Sequence, residues 1–369
     1  MAYTDDDKDM LNSIVEKDIV EILDQRLPWE RFRGKRILVT GASGMIASYL
    51  VESLMHLNKA AFDDKCKIVA MVRNVEYARE RFNHYDESDG LSIVHHDVSK
   101  QYVTKEKIDF IIHAASLASP KNYLKDPVGT IAANTLGNFN LLYLAEENEV
   151  ESFLYVSSGA VYGKNVHNVS IRENMFGPID PLSARSCYAE GKRAGETICN
   201  SFYHQYGVPI RIARLFHTYG PGMKLDDGRV FADFVSDVLN NRDIVVKGQG
   251  KSIRSFCYIS DAISALFTIL LKGTDGEAYN IGNEDNKIRI DHLASLLASD
   301  FGERGIQVNI QGSHFQEEAE EDHHWPDTGK LRSLGWNPRI DISEGFRRTV
   351  DSFSSHDSHT LSLSGGTNS

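Results

Sequence analysis

Tyr188 and Lys192 stand four residues apart in CYAEGKRAGETICNSF, a stretch with helical periodicity. Both side chains therefore fall on one helix face, with an ammonium beside a phenol. A free tyrosine has a pKa of about 10 and is a poor base at neutral pH, but a neighbouring cation favours the phenolate. Such a pair can take a proton from a hydroxyl and give one back. YxxxK is a frequent spacing and acquires meaning only from its surroundings. Upstream, SFLYVSSGAVYG carries Ser157 and Ser158 to the end of a strand, where either hydroxyl can hold an oxygen beside Tyr188. Serines at strand ends are also ordinary turn formers.

The element that gives this pair a partner lies near the start of the chain. In LVTGASGMIA, Gly41 and Gly44 follow a strand and sit at the mouth of an amphipathic helix, with Ala47 as the third small residue. Glycines there allow a tight turn and let backbone N–H groups approach a pyrophosphate, the arrangement of a dinucleotide site. An oxidised nicotinamide would further favour the Tyr188 phenolate. At the end of the second strand, MVRN places Arg73 where an acidic residue would otherwise serve the ribose hydroxyls. A guanidinium there can pair with a 2'-phosphate, so NADP is favoured over NAD, and the alternative is a solvated strand-end arginine. Asp97, ending the third strand, is expected to meet the adenine or to cap a helix.

The frame that must position these residues reads as α/β. RILVT, KIVAMV, SIVHHD (92–97), DFIIHAA (109–115), SFLYVSS (152–158) and IRIARLF (210–216) are apolar runs separated by helical stretches, the pattern of a doubly wound parallel sheet. Residues 34–216 are expected to form the dinucleotide-binding domain and 217–353 mainly a smaller substrate lobe with short strands near IVVKG and AYNIG. Residues 1–33 read as a helical extension, with Met10, Ile14, Ile19, Ile22 and Leu23 at helical spacing, and 354–369 as a disordered tail.

Composition narrows the options. The 369 residues carry a formal charge of −12, which disfavours a broad nucleic-acid surface. No apolar run approaches the roughly 18 residues of a membrane span, and Asp5, Asp6 and Asp7 do not resemble a secretory signal, so the cytoplasm is the expected location. Cys66, Cys187, Cys199 and Cys257 have no CxxC pairing and are expected to be reduced thiols; no metal site is expected.

Taken in order, TGASGMIA, HAAS (113–116), NTLGNFNLL from Asn134, SSGAVYG, YAEGK, RLFHTYGPG, RSFCYISD, YNIGN and LGW resemble the motifs of extended short-chain dehydrogenases/reductases, specifically the nucleotide-sugar epimerase, dehydratase and decarboxylase group. The match runs from about Lys35 to Phe353. The resemblance implies a Rossmann-type domain and a nucleoside diphosphate sugar as substrate, with Ser158, Tyr188 and Lys192 catalytic and Lys192 also holding the nicotinamide ribose. It implies cofactor contacts from Gly41, Ser43, Gly44, Met45, Ile46, Arg73, Asp97, Val98, Ala114, Ala115, Ser116 and Asn134, beside Tyr188 and Lys192. Substrate contacts are implied for Ser116, Ser158, Gly159, His217, Arg229, Arg254 and His324, with Arg254 as the diphosphate clamp. Relatives commonly form homodimers through the helices near residues 128–147 and 188–204.

The departures from the group's pattern matter as much. RSCYAEGKR, DDGRV (226–230) and KSIRSFCYISD look most like UDP-glucuronate decarboxylases, yet those enzymes resemble TSEVYG where this chain has SSGAVYG. Ala160 replaces the glutamate and Gly159 its polar neighbour, and the Asp-Glu pair of hexose 4,6-dehydratases is missing too. Neither residue can act as general acid or base. The reactions left need only Ser, Tyr, Lys and the cofactor: epimerisation, expected at C4, or reduction of a keto sugar with NADPH. A decarboxylase or dehydratase using an acid from elsewhere, and a non-catalytic NAD(P)-sensing scaffold, are the further alternatives. His217 stands where the group usually has Asn, and HHWPD (323–327) has histidines where an arginine is common; both histidines are candidates to donate to phosphate.

Overall fold

The computed structural model describes residues 12–165, 168–312 and 323–360, the stretch 355–360 as backbone only. The apolar runs form strands β1 (Arg36–Thr40), β2 (Lys67–Val72), β3 (Leu91–His95), β4 (Phe110–His113), β5 (Ser152–Ser158) and β6 (Ile210–Leu215). Helices α1 (Ser13–Leu23), α2 (Met45–Ala60), α3 (Val75–Arg81), α4 (Pro120–Lys125), α5 (Pro127–Asn134), α6 (Leu136–Asn148) and α7 (Ser186–Tyr206) precede and connect them. Beyond β6 come strands β7 (Thr218–Tyr219), β8 (Ile244–Lys247), β9 (Ile253–Ser255), β10 (Cys257–Tyr258), β11 (Ala278–Ile281), β12 (Lys287–Arg289) and β13 (Val308–Gln311). Helices α8 (Val230–Leu239), α9 (Ile259–Lys272), α10 (Ile290–Asp300), α11 (Gly329–Arg332) and α12 (Ile342–Thr360) complete the described chain.

Seven strands form one sheet in the order β11-β6-β5-β4-β1-β2-β3, every neighbouring pair parallel. Parallel strands need crossovers over the sheet faces, so both faces are covered and successive strand residues enter different cores. Ile37 and Val39 join the core that includes residues of α2 and α9; Leu38 and Ile111 join the one that includes Leu141, Leu142 and Cys199 of α6 and α7. The order reverses between β1 and β4, where Thr40 pairs with His113, and a crevice opens beyond their C-terminal ends.

The boundary expected at residue 216 is crossed. AYNIG, expected in the smaller lobe, supplies β11, which pairs with β6 and completes the main sheet. Helix α9 is buried from Ile259 to Leu271, its polar stripe of Ser260, Ser264 and Thr268 included, and packs behind the sheet. What remains of the lobe is built from short pairs: β7 with β10, β9 with β12 and β8 with β13.

The N-terminal extension is helical in α1, which buries Ile19 and Ile22. It also buries Asp18, whose carboxylate accepts from Tyr49 Oη at 2.9 Å, Tyr258 Oη at 2.8 Å and Arg348 Nη1 at 2.8 Å. Burial raises this carboxyl to about 6 against those donors. Met10 lies outside the described residues. At the other end α12 continues helical to Thr360, past the expected start of the tail, and 361–369 lie outside the described residues. No helix among the described residues is long and apolar enough to cross a membrane.

Candidate active site

The crevice is shaped first by the turn between β1 and α2. Gly41 has φ +66°, and a methyl on it would come within 2.8 Å of the Ala115 Cα, so only glycine lets the two loops meet. Gly44 caps α2 without a side-chain hydrogen bond, leaving first-turn N–H groups facing the crevice. Such a mouth fits a pyrophosphate. Beneath it Thr40 Oγ1 lies 2.9 Å from His113 Nδ1 and accepts from Ala115 N at 3.2 Å, tying β1 to β4. Burial, with the Lys192 charge nearby, holds His113 down at about 3, so it is a neutral brace.

Two adjoining cavities share Gly41, Gly44 and Ser116. The outer one, about 590 Å³, is lined by Ser43, Arg73, Asp97, Val98 and Ala115. Arg73 is exposed there, and its charge helps the Ser99 N–H and hydroxyl hold Asp97 below the usual carboxylate range, against partial burial. The inner one, about 580 Å³, is lined by Met45, Ile46 and Ala114 toward the turn. Its far wall brings together Ser158, Gly159, Tyr188, Lys192, His217, Arg229, Arg254 and His324. Asn134 is the exception among the expected contacts. It is fully buried and lines neither cavity: its amide donates to Ser116 Oγ at 3.2 Å and Thr130 O at 2.9 Å and accepts from Tyr155 Oη at 3.3 Å. With both ends of the amide engaged, it positions Ser116 rather than facing a ligand.

Helix α7 presents Tyr188 and Lys192 along one face, against the end of β5. The two serines of β5 divide. Ser157 donates to Glu196 Oε1, which pairs with the buried Arg214 at 2.6 Å. Ser158 accepts the Ala160 N–H at 3.2 Å and hydrogen-bonds the Tyr188 phenol. Burial raises the phenol's pKa, while Ser158 and then Arg229 pull it down. Lys192 is 2% exposed; its Nζ donates to Val156 O at 2.8 Å and lies 4.7 Å from the centre of the Tyr155 ring. The expected ammonium beside the phenol is thus replaced here by an ammonium on the β5 backbone, and burial pushes its pKa down to about 7. Sequence reasoning passed over Tyr123 of α4, whose ring stacks on Tyr188 at 5.5 Å and 10°. Its signal was only a tyrosine after the loop that follows HAAS.

The substrate-side wall comes from four separate segments of the chain. Arg229 is held by Asp227, its backbone N–H at 2.9 Å and its Nε at 2.6 Å from the carboxylate. Arg254 on β9 forms a bridge with His324. The adjacent histidines separate: His323 Nδ1 accepts the Ile253 N–H at 3.1 Å and steadies β9, while His324 enters the cavity. The His324 ring stacks on Phe216 at 4.9 Å, with Nε2 3.1 Å from Gly159 O. His217 follows Phe216 with φ +28°. Burial and the charges of Arg254, His324 and Arg229 keep it well below the ordinary histidine range. Among the described residues lining this inner cavity there is no carboxylate.

Comparison with known proteins agrees with this architecture. Residues 37–282 match the model of the NAD dependent epimerase/dehydratase family. The UDP-glucuronic acid decarboxylase 1 of Xenopus tropicalis is 34% identical over 326 residues, covering 86% of this chain and 72% of that protein. UDP-glucuronic acid decarboxylase 3 of Arabidopsis thaliana is 33% identical over 321 residues, with 86% and 89% covered. Among solved structures, the UDP-glucose 4-epimerase of Thermotoga maritima superposes with a TM-score of 0.72 at 22% identity, covering 87% of this chain and 99% of that one. The UDP-glucuronic acid 4-epimerase of Bacillus cereus, in complex with NAD, gives 0.71 at 23%, with 87% and 99% covered. With its parallel sheet, glycine turn and YxxxK helix, the chain belongs to the NAD dependent epimerase/dehydratase family.

Proposed function

We propose that the protein epimerises a nucleoside diphosphate sugar at C4, using Ser158 and Tyr188 to move the hydroxyl proton. The single observation carrying this reading is the cavity wall without a carboxylate among its described residues, with Gly159 and Ala160 where an acid would stand. Elimination of water or protonation of a ring carbon calls for such an acid; oxidation and reduction at one carbon do not. Ser158 holds the sugar oxygen and the phenol, Tyr188 takes and returns the proton, and Lys192 would hold the nicotinamide ribose. A bound nicotinamide supplies acceptance and return of the hydride. Arg229 and Arg254 suit the diphosphate as planar donors.

NADP is the favoured form, because Arg73, one of two exposed cations on the outer cavity with Lys224, stands at the end of β2. A homodimer is supported by exposed apolar residues on the helices noted above, Val128, Ile131, Phe139 and Tyr143 among them. Decarboxylation is the second reading, favoured by the 32–34% identical relatives that carry that name. A ketone made beside a sugar carboxylate can lose carbon dioxide without a further base, and the enolate left on the ring carbon then takes its proton from water, since no carboxylic acid lines the cavity among the described residues. Incubation with UDP-, dTDP-, GDP- and CDP-hexoses and with UDP-glucuronate, followed by NMR, separates the two. A 4-epimer is expected; carbon dioxide and a pentose product would establish the second.

A further inference from the structure

We propose that His217 offers a bare ring nitrogen, Nε2, to the substrate and accepts a hydrogen bond from a hydroxyl of its sugar, so that this residue reads the sugar and not the diphosphate. The inference rests on the nucleotide-sugar reading above and sharpens it.

Its starting point is an unsatisfied atom. His217 Nε2 is buried and has no hydrogen-bond partner among the described residues, on a side chain that lines the inner cavity. A buried ring nitrogen left without a partner is costly, and native structures rarely leave one so without a ligand or water to complete it. The His324 backbone favours a proton on the ring, as a carbonyl does and an N–H does not. With Nε2 unpartnered among the described residues, we assign that proton to Nδ1, which leaves Nε2 presenting a lone pair.

The backbone holds this orientation under strain. His217 has φ +28°, an uncommon conformation for a residue other than glycine. It is fixed from both sides: Phe216 N donates to Ile281 O at 2.9 Å, and Cys257 N donates to His217 O at 3.3 Å. Strained residues of this kind concentrate at ligand sites.

The chemistry of the missing partner then follows. A lone pair repels phosphate oxygens, which at neutral pH have no proton to give. A second proton on the ring is opposed by burial and by Arg254, His324 and Arg229 around it. The partner must be a donor, and His217 shares the cavity wall with the arginines suited to the diphosphate and with the His324 ring, 5.8 Å away, whose Nε2 meets the Gly159 carbonyl oxygen. Sugar hydroxyls are the donors available there. The ribose hydroxyls and a nucleobase N–H are the other donors in such a ligand, and UDP alone tests for both.

Two measurements decide this. In protein labelled with ¹⁵N-histidine, with His217→Gln to assign the signal, the His217 ring at pH 7 should show the Nδ1–H tautomer. The Nε2–H tautomer or an imidazolium would overturn the proposal. By calorimetry, His217→Phe should leave UDP affinity within about twofold while weakening UDP-glucose about tenfold, and His217→Gln should recover part of the loss through its amide oxygen. Equal losses for UDP and UDP-glucose would place the contact on the diphosphate or base and overturn it. If wild-type protein bound neither probe, the nucleotide-sugar reading would fail, and the tautomer would still decide the acceptor.

Discussion

The imidazole of His324 occupies the space that a side chain at position 159 would need. Its Nε2 lies 3.1 Å from the Gly159 carbonyl oxygen, and a methyl on Gly159 would stand 2.8 Å from its Cε1 and 2.9 Å from Phe216 Cε1. Two departures from the family pattern, a glycine in the catalytic loop and a histidine 165 residues later, are therefore one packing solution. Gly159→Ala should cost about 1–3 kcal/mol through overpacking, and His324→Ala in the same chain should relieve part of it. Urea unfolding of both single variants and the double variant measures the coupling; strictly additive losses would contradict it.

Tyr188→Phe removes the phenol oxygen while keeping the ring stacked on Tyr123. Turnover should fall at least about 100-fold, the effect of losing a general acid-base group, with NADP affinity nearly unchanged. Steady-state kinetics with fluorescence titration of cofactor checks both. Full activity would remove Tyr188 from the mechanism.

Lys192 should leave a pH signature on stability. Burial brings its pKa down to about 7 from 10.5, so between those values the unfolded chain holds a proton that the folded one has released. Stability contributed by this site then rises with pH across that window, by at most about 1.4 kcal/mol per unit. Lys192→Met abolishes the dependence, so its advantage over cofactor-free wild type should be largest near pH 7 and shrink toward pH 10. The Cys66 thiol, raised to about 12 by burial, slopes the other way above pH 9 but does so in both proteins. Parallel curves in denaturant titrations would show that Lys192 is not desolvated.

Arg73→Asp tests the cofactor preference. A carboxylate in the outer cavity would repel a 2'-phosphate but leave a ribose hydroxyl its acceptor. NADP affinity should fall at least about tenfold while NAD affinity changes little. Equal changes would make Arg73 a solvated strand-end residue.

Where chemistry depends on neighbours in sequence, the chain could be read directly. The glycine turn, the strand feeding it, and Tyr188 and Lys192 on one helix face are local patterns, and the fold delivers each to the crevice. Relationships between distant segments were not legible. Nothing near YNIGN says that β11 returns to the main sheet, and nothing in α9 says that its polar stripe of Ser260, Ser264 and Thr268 is buried along with its apolar face. Asn134 had a polar type and a motif position, but its partners Ser116 and Tyr155 are brought to it only by folding. The choice between Ser157 and Ser158 turned on Glu196, buried with Arg214, which captures the first and leaves the second for Tyr188. His217 showed the type of a donor to phosphate; that its Nε2 is buried without a partner among the described residues emerges only from the fold.

The central claim is that hydride leaves and returns to one sugar carbon and that the configuration there is all that changes in the sugar. UDP-glucose and UDP-glucuronate deuterated at C4, incubated with catalytic amounts of protein and NADP or NAD, test it directly by NMR. The account predicts a product inverted at C4 that keeps the deuterium on that carbon, with no net change in the cofactor. Release of carbon dioxide from UDP-glucuronate, or a dehydrated 4-keto sugar, would contradict it.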